Sequence, residues 1–175
     1  MNKNIPYVLT KEERINIVGK GRRAKEDEKF QKRYIKTYAA IDIGSSTRVR
    51  LNCKTGEMKH LGRTMKLEDF YQWTEDFDGH WESDKGDVWF SLKMITEGGG
   101  MQNRSIRELA RHLEACLVYI EASKDDTSRF CFIIDGCEIL KYQDVLRGVA
   151  SKYEERFFIG GMREFSESSF VKGNG

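Results

Sequence analysis

A chain of 175 residues fits a single domain. Hydrophobic residues make up 39% of it, enough for one core, yet no apolar run approaches the roughly 20 residues that a membrane-spanning helix needs. The formal net charge of +2 is too small to announce a nucleic-acid partner, so the placement of charge has to carry that information.

That placement is uneven. Eleven of the first 36 residues are Lys or Arg, densest in Lys20-Gly21-Arg22-Arg23-Ala24-Lys25. A run of this kind either tracks phosphates or stands in water as a solvated arm. Met1-Asn2-Lys3-Asn4 lacks the apolar core of a secretory signal. Cys53, Cys116, Cys131 and Cys137 form no C-x-x-C pair, and His60, His80 and His112 do not complete a zinc set. The cysteines read as reduced, several of them in the core, and the chain as cytoplasmic.

From Lys25 to Tyr38, Phe30, Tyr34, Ile35 and Tyr38 recur at helical spacing and predict a charged amphipathic helix. Ala39 to Ile43 reads as a strand, Gly44 to Thr47 as a turn and Arg48 to Cys53 as an alternating strand. Lys54-Thr55-Gly56-Glu57 reads as a hairpin turn. Tyr71 to Phe77 alternates aromatic and polar residues like a strand, and Asp78-Gly79 breaks it. Asp87 to Ile95 predicts a strand with Val88, Phe90, Leu92 and Met94 on one face and Trp89, Ser91, Lys93 and Ile95 on the other. Glu97-Gly98-Gly99-Gly100 ends it.

Ile106, Leu109, Ala110, Leu113, Cys116, Leu117 and Ile120 then form the clearest helical stripe in the chain. Ser105 with Glu108 has the form of a capping box at its start. Phe130 to Ile134, closed by Asp135-Gly136, reads as a strand buried on both faces. A short helix over about 142–153 and a last strand from Arg156 to Ile159 complete the chain. Strand, helix and strand across 87–134 imply a βαβ crossover, hence an α/β fold with a mixed sheet flanked by helices. The expected organisation is a basic, partly helical segment over 1–38, a core over 39–160 and a tail over 161–175.

Hydrolysis of a phosphodiester needs a metal to polarise the phosphate and a cation to stabilise developing charge. Asp78 and Lys93, fifteen residues apart and joined by a hairpin, can supply a carboxylate and that cation from neighbouring strands. A lysine in a mostly apolar strand is costly without a partner or ligand, unless it faces solvent from an edge strand. Gly98, Gly99 and Gly100 before a helix N-terminus offer bare amides to an anion, or form an ordinary turn. Gln102, Asn103 and Arg104 stand at the mouth of the same site as candidates for contacting DNA, with Arg22 and Arg23 from the basic run.

The order Trp73 to Gly79, Val88 to Lys93, Gly98 to Glu108 and Phe132 to Gly136 resembles type II restriction endonucleases of the PD-(D/E)xK nuclease superfamily. The likeness covers roughly residues 70–140. It implies a restriction-endonuclease-like core, a Mg²⁺ cofactor and a double-stranded DNA substrate cut by a homodimer with C₂ symmetry. It makes Asp78 a metal ligand and Lys93 the residue that orients or activates the attacking water. The position two before the lysine, normally acidic, is Ser91. Some restriction enzymes carry S-x-K here and recruit a glutamate from the next helix. Glu108 or the nearer Glu97 can fill that place, and Glu75, Asp76 and Glu28 stay open.

Two other classes remain. The missing acid at Ser91 fits a binding module that holds DNA without cutting it. Ala40 to Thr47 resembles the first phosphate motif of the actin, sugar-kinase and exopolyphosphatase-like ATPases, but nothing downstream of Asp42 supplies their second acidic, glycine-rich loop. A plain strand–turn–strand explains that segment more simply.

Overall fold

The computed structural model describes residues 1–21, 23–62 and 66–172. Arg22 and Gly173 to Gly175 therefore lie outside the described residues.

Two N-terminal helices open the chain, α1 (Lys11–Val18) and α2 (Ala24–Tyr38). Thr10 starts α1 with a reciprocal cap. Its Oγ1 accepts from the Glu13 amide and the Glu13 carboxylate accepts from the Thr10 amide, two donors the helix itself leaves orphaned. Arg14 on α1 then donates twice to Asp27 on α2, at 2.9 and 3.0 Å, and this buried fork fixes the angle between the two helices. On α2 the apolar stripe of Phe30, Tyr34 and Ile35 is buried as expected.

A hairpin of β1 (Val49–Leu51) and β2 (Met58–His60) follows, then the short α3 (Leu67–Gln72). The main sheet comes next. Its strands are β3 (Gly79–Ser83), β4 (Gly86–Met94), β5 (Arg129–Asp135) and β6 (Phe157–Gly160), hydrogen-bonded in the order β3-β4-β5-β6. β3 runs antiparallel to β4, while β4, β5 and β6 are mutually parallel, so the sheet is mixed. The crossover from β4 to β5 is α4 (Gly100–Ala122), and α5 (Leu140–Ala150) with a 3₁₀ turn leads into β6. The fold is α/β, a mixed sheet between helical layers.

Each sheet face has its own core. Leu109, Leu113, Cys116 and Ile120 of α4 pack with Phe130, Phe132 and Ile134 of β5 and with Trp89 and Ile95. On the opposite face, α2 and the C-terminal α6 (Met162–Glu167) cover Val88, Phe90 and Leu92 of β4. The two-residue alternation along β4 thus sorts its side chains as the sequence implies. Every residue of β5 is buried, as its unbroken apolar run requires. Gly136 closes that strand at φ +110°, and a Cβ there would lie 2.2 Å from the Ile95 carbonyl oxygen.

Several expectations need correction. Ala39 to Ile43 forms no strand. Ile41 and Ile43 are buried, but the segment joins the sheet through one bond, from the His80 amide to the Ile43 carbonyl. The alternating strand over Arg48 to Cys53 shortens to Val49–Leu51. The strand-like reading of Tyr71 to Phe77 also fails. Tyr71 and Gln72 end α3, and Trp73 contributes only an isolated bridge to Asn52. The capping box at Ser105 does not exist, because α4 begins five residues earlier with Gly99 as its N-cap. Ser105 lies inside the helix and its hydroxyl bonds back to the Met101 carbonyl. Residues 161–172, read as a tail, carry α6 and the short α7 (Ser169–Lys172), with Met162 and Phe165 fully buried. All four cysteines are free, and Cys116 and Cys131 are buried. Among the described residues no helix is long and apolar enough to cross a membrane.

Candidate active site

Asp78 sits one step beyond the last pair of the β3–β4 ladder, Gly79 with Phe90. Its amide extends the ladder to the Phe90 carbonyl at 2.8 Å. At Leu92, β3 has run out and the β4 amide would be left without a partner. The Asp78 carboxylate takes that place, with Oδ2 accepting from the Leu92 amide at 2.7 Å. One carboxylate oxygen is thereby pinned to the strand that carries Lys93. The carboxyl titrates near 7 rather than 3.8, because burial outweighs the Leu92 bond and the Lys93 charge, while Glu28 pushes it up further.

Lys93 projects toward α4 from β4, past the end of its β3 partner, and meets Glu75 and the Asp78 pocket rather than open solvent, unlike a lysine on a bare edge. Its Nζ lies 2.7 Å from Glu75 Oε2 and its side chain is 24% exposed. Burial pulls its pKa down, but Glu75 first, then Asp78 and Glu108, raise it above the ordinary value. The lysine is held charged.

Ser91, two positions before, is buried. Its hydroxyl lies 3.2 Å from Nδ1 of His112 on α4, and His112 packs against Phe77 and Phe132. Burial drives the His112 pKa down to about 3, so the ring is neutral. The place of an acidic residue is therefore occupied by a neutral serine–histidine pair. Glu108 lies one helical turn before His112. Since α4 returns antiparallel to β4, that turn places Glu108 near Lys93 if His112 is over Ser91, and the electrostatic pull of Glu108 on Lys93 agrees. Its partner is Arg111 at 3.9 Å, and with the capping box gone it has no competing role at the helix start.

Asp78 and Lys93 line a pocket of about 200 Å³ together with Glu28, Gln31, Lys25 and Ser105. Glu28 arrives from α2 on the other side of the sheet and pairs with Lys32 at 2.7 Å. The sequence left Glu28 among several candidates, fifty residues from Asp78. The usable signal was Gln31, a polar residue inside the apolar stripe of α2. Its amide donates to the Lys93 carbonyl at 3.0 Å and to Asp135 Oδ2 at 2.8 Å, which sets that turn of α2 over the end of β4.

An adjoining pocket of about 260 Å³ holds Glu97, Gln102 and Arg23. Glu97 pairs there with Lys11 at 3.0 Å and does not line the Asp78 pocket. Gly99, at φ +130°, caps α4 without a side-chain bond, and Gly100 is its first residue, so the expected open helix start is present. Arg23 and Gln102 flank it, whereas Asn103 and Arg104 lie exposed on the outside of α4. Both pockets share Ala24, Asp27, Met94, Ile95 and Ser105, and so form one cleft at the C-terminal end of β4. That end is where open α/β sheets bind ligands. Among the described residues no group of three or more His, Cys, Asp or Glu is gathered to hold a metal ion.

Comparison with known proteins matches this chain to no family model, no curated protein and no solved structure.

Proposed function

We propose that the chain is a Mg²⁺-dependent DNA endonuclease of the PD-(D/E)xK kind, acting through Asp78 and Lys93 on double-stranded DNA. The observation that carries this reading is the convergence on one pocket of Glu28 from α2, Lys93 from β4 and Asp78 from the bend before β3. The residues fit a Mg²⁺ site of the ordinary sort. Asp78 Oδ1 accepts no hydrogen bond among the described residues, and Glu28 lines the same pocket. Mg²⁺ commonly takes one or two carboxylates and fills its shell with water and phosphate oxygens, so a three-carboxylate cage is not required. Asp78 and Glu28 would hold it, with Glu108 on the Lys93 side as a further carboxylate. When bound, the ion polarises the phosphate and makes a water acidic enough to attack.

The chain's own groups do the rest. Leu92 fixes the Asp78 carboxylate through its backbone amide, so that carboxylate is oriented before anything binds. Lys93 leaves Glu75 for the incoming phosphate, where its ammonium orients the attacking water and stabilises the charge that develops. The amides at Gly99 and Gly100 and the side chains of Arg23 and Gln102 grip the backbone of the DNA alongside. Cutting both strands takes two such sites, hence a homodimer.

A second reading, a module that binds DNA without cutting, draws on the neutral Ser91–His112 pair and the lack of a three-donor cluster among the described residues. One experiment separates the two. Supercoiled plasmid and unmodified genomic DNA are incubated with the protein in Mg²⁺ or EDTA, beside Lys93→Ala. Discrete Mg²⁺-dependent products that vanish in the variant are expected. A retained gel shift with no cleavage of either DNA would transfer the conclusion to the binding module.

A further inference from the structure

α3 presents an apolar face to solvent. Leu67, Phe70 and Tyr71 occupy positions i, i+3 and i+4 on one side of the helix and are 71%, 56% and 76% exposed. Large apolar side chains grouped in this way on a surface ordinarily mark a contact. The face is also held in place. Arg111 of α4 donates to the carbonyls of Phe70 and Tyr71, at 3.2 and 2.6 Å. Four residues after Tyr71 comes Glu75, whose carboxylate holds Lys93. Four residues span at most about 14 Å, or about four base steps of a stacked strand.

Beside this face α4 carries a row of arginines, of which Arg111 is paired with Glu108 at 3.9 Å. Arg104, Arg107 and Arg111 recur at i, i+3 and i+7, a single strip of α4. Arg104 and Arg107 are exposed and form no ion pair among the described residues. Aromatic rings next to a row of guanidinium groups suit a ligand that offers flat π faces and phosphates together. Nucleic acid offers both.

We infer that α3 and the arginine strip of α4 form a docking surface for unstacked DNA bases close to the scissile phosphate. Phe70 and Tyr71 stack on the bases while Arg104 and Arg107 take the flanking phosphates. The inference rests on the hydrolytic reading of the Asp78–Lys93 pocket and narrows its substrate. A base can reach these rings only if it has left the helical stack, so among duplex substrates the favoured DNA carries unpaired nucleotides beside the cut, as a flap or branch does, and a free single strand serves as a probe of the stacking alone.

Fluorescence anisotropy of the full chain in EDTA tests this without cleavage. The probes are a labelled single strand, the matching duplex and that duplex with an unpaired flap. The wild type should bind the flap and the single strand more tightly than the duplex. The double variant Phe70→Ala/Tyr71→Ala should lose about tenfold or more on those two probes and little on the duplex, with Tyr71→Trp retaining the preference. Circular dichroism confirms that the exposed substitutions leave the fold intact. Equal binding of wild type and double variant to every probe overturns the inference. If that variant also sheds a self-associated state on size exclusion, α3 is a contact between copies instead. Failure of the hydrolytic reading is separate: Lys93→Ala would then cut as the wild type does, while the aromatic pair still set flap affinity.

Discussion

Two aspartates flank the same sheet and differ instructively. Asp78 and Asp135 are both pushed up to about 7 by burial, and both accept a backbone amide, from Leu92 and from Met162 respectively. Asp135, at the end of β5, is 3% exposed, bonded to Gln31 and Met162, and shut beneath α2 and α6. Asp78 lines the cleft beside Lys93 and Glu28. A raised carboxylate pKa is therefore no mark of function by itself. Access and an available cation make the difference.

Changes on the two sides of this contrast should fail in different ways. The largest effect belongs to the open side. Lys93→Ala should lower single-turnover cleavage of a labelled duplex by about 10²–10³-fold, the scale of losing one group that stabilises transition-state charge. DNA binding and melting temperature should hardly change. Wild-type cleavage in that variant would remove Lys93 from the chemistry.

On the closed side, Asp135→Ala leaves the Met162 N–H without its acceptor and takes the shortest of the Gln31 amide's bonds, leaving that amide the Lys93 carbonyl. It should cost about 2–4 kcal/mol in urea unfolding, with the folded fraction cutting normally. A variant as stable as the wild type would show that Asp135 does not join α2, β5 and α6.

His112 gives a comparison in pH. Its ring titrates at about 3 when folded against 6.5 ordinarily, so below pH 6.5 the unfolded chain takes up a proton that the folded chain refuses. Stability from this group is present above pH 6.5 and is lost as pH falls toward 3. His112→Gln, which can still meet Ser91, should remove that component, at most roughly 5 kcal/mol. Parallel stability–pH curves for variant and wild type would contradict it.

The smallest change is expected from Glu75→Gln. Glu75 helps raise the Lys93 pKa, so its loss should move the alkaline limb of the cleavage profile to lower pH. The rate at neutral pH should shift less than about tenfold. An unmoved limb would mean that Glu75 does not set the charge of Lys93.

The central fold was legible where one periodicity ran long enough to decide. The alternation of β4, the stripe of α4 and the apolar run of β5 together imply the crossover that places Lys93 over α4. Ile41 and Ile43 misled because burial of alternate residues does not require a ladder; the Ile43 carbonyl meets the His80 amide, but no strand pairing follows. The stretch from Tyr71 to Phe77 misled because Tyr71, Trp73 and Phe77 stand among polar residues as in a strand, yet Tyr71 is exposed near the end of α3 and Trp73 and Phe77 are buried beyond it. The Thr10–Glu13 box that starts α1 was present in the sequence as an unread signal. For the candidate site, the proximity of Asp78 and Lys93 was legible through the hairpin between them. Glu28 stood only as one open candidate among several, because packing of α2 across the far face is what brings it to the pocket.

The most direct test sets Asp78→Asn beside Asp135→Asn and measures Mg²⁺-dependent cleavage per folded molecule for each. Asp78→Asn should be folded and inactive, and Asp135→Asn active. Activity in Asp78→Asn equal to that of the wild type would contradict the placement of the hydrolytic centre in this cleft.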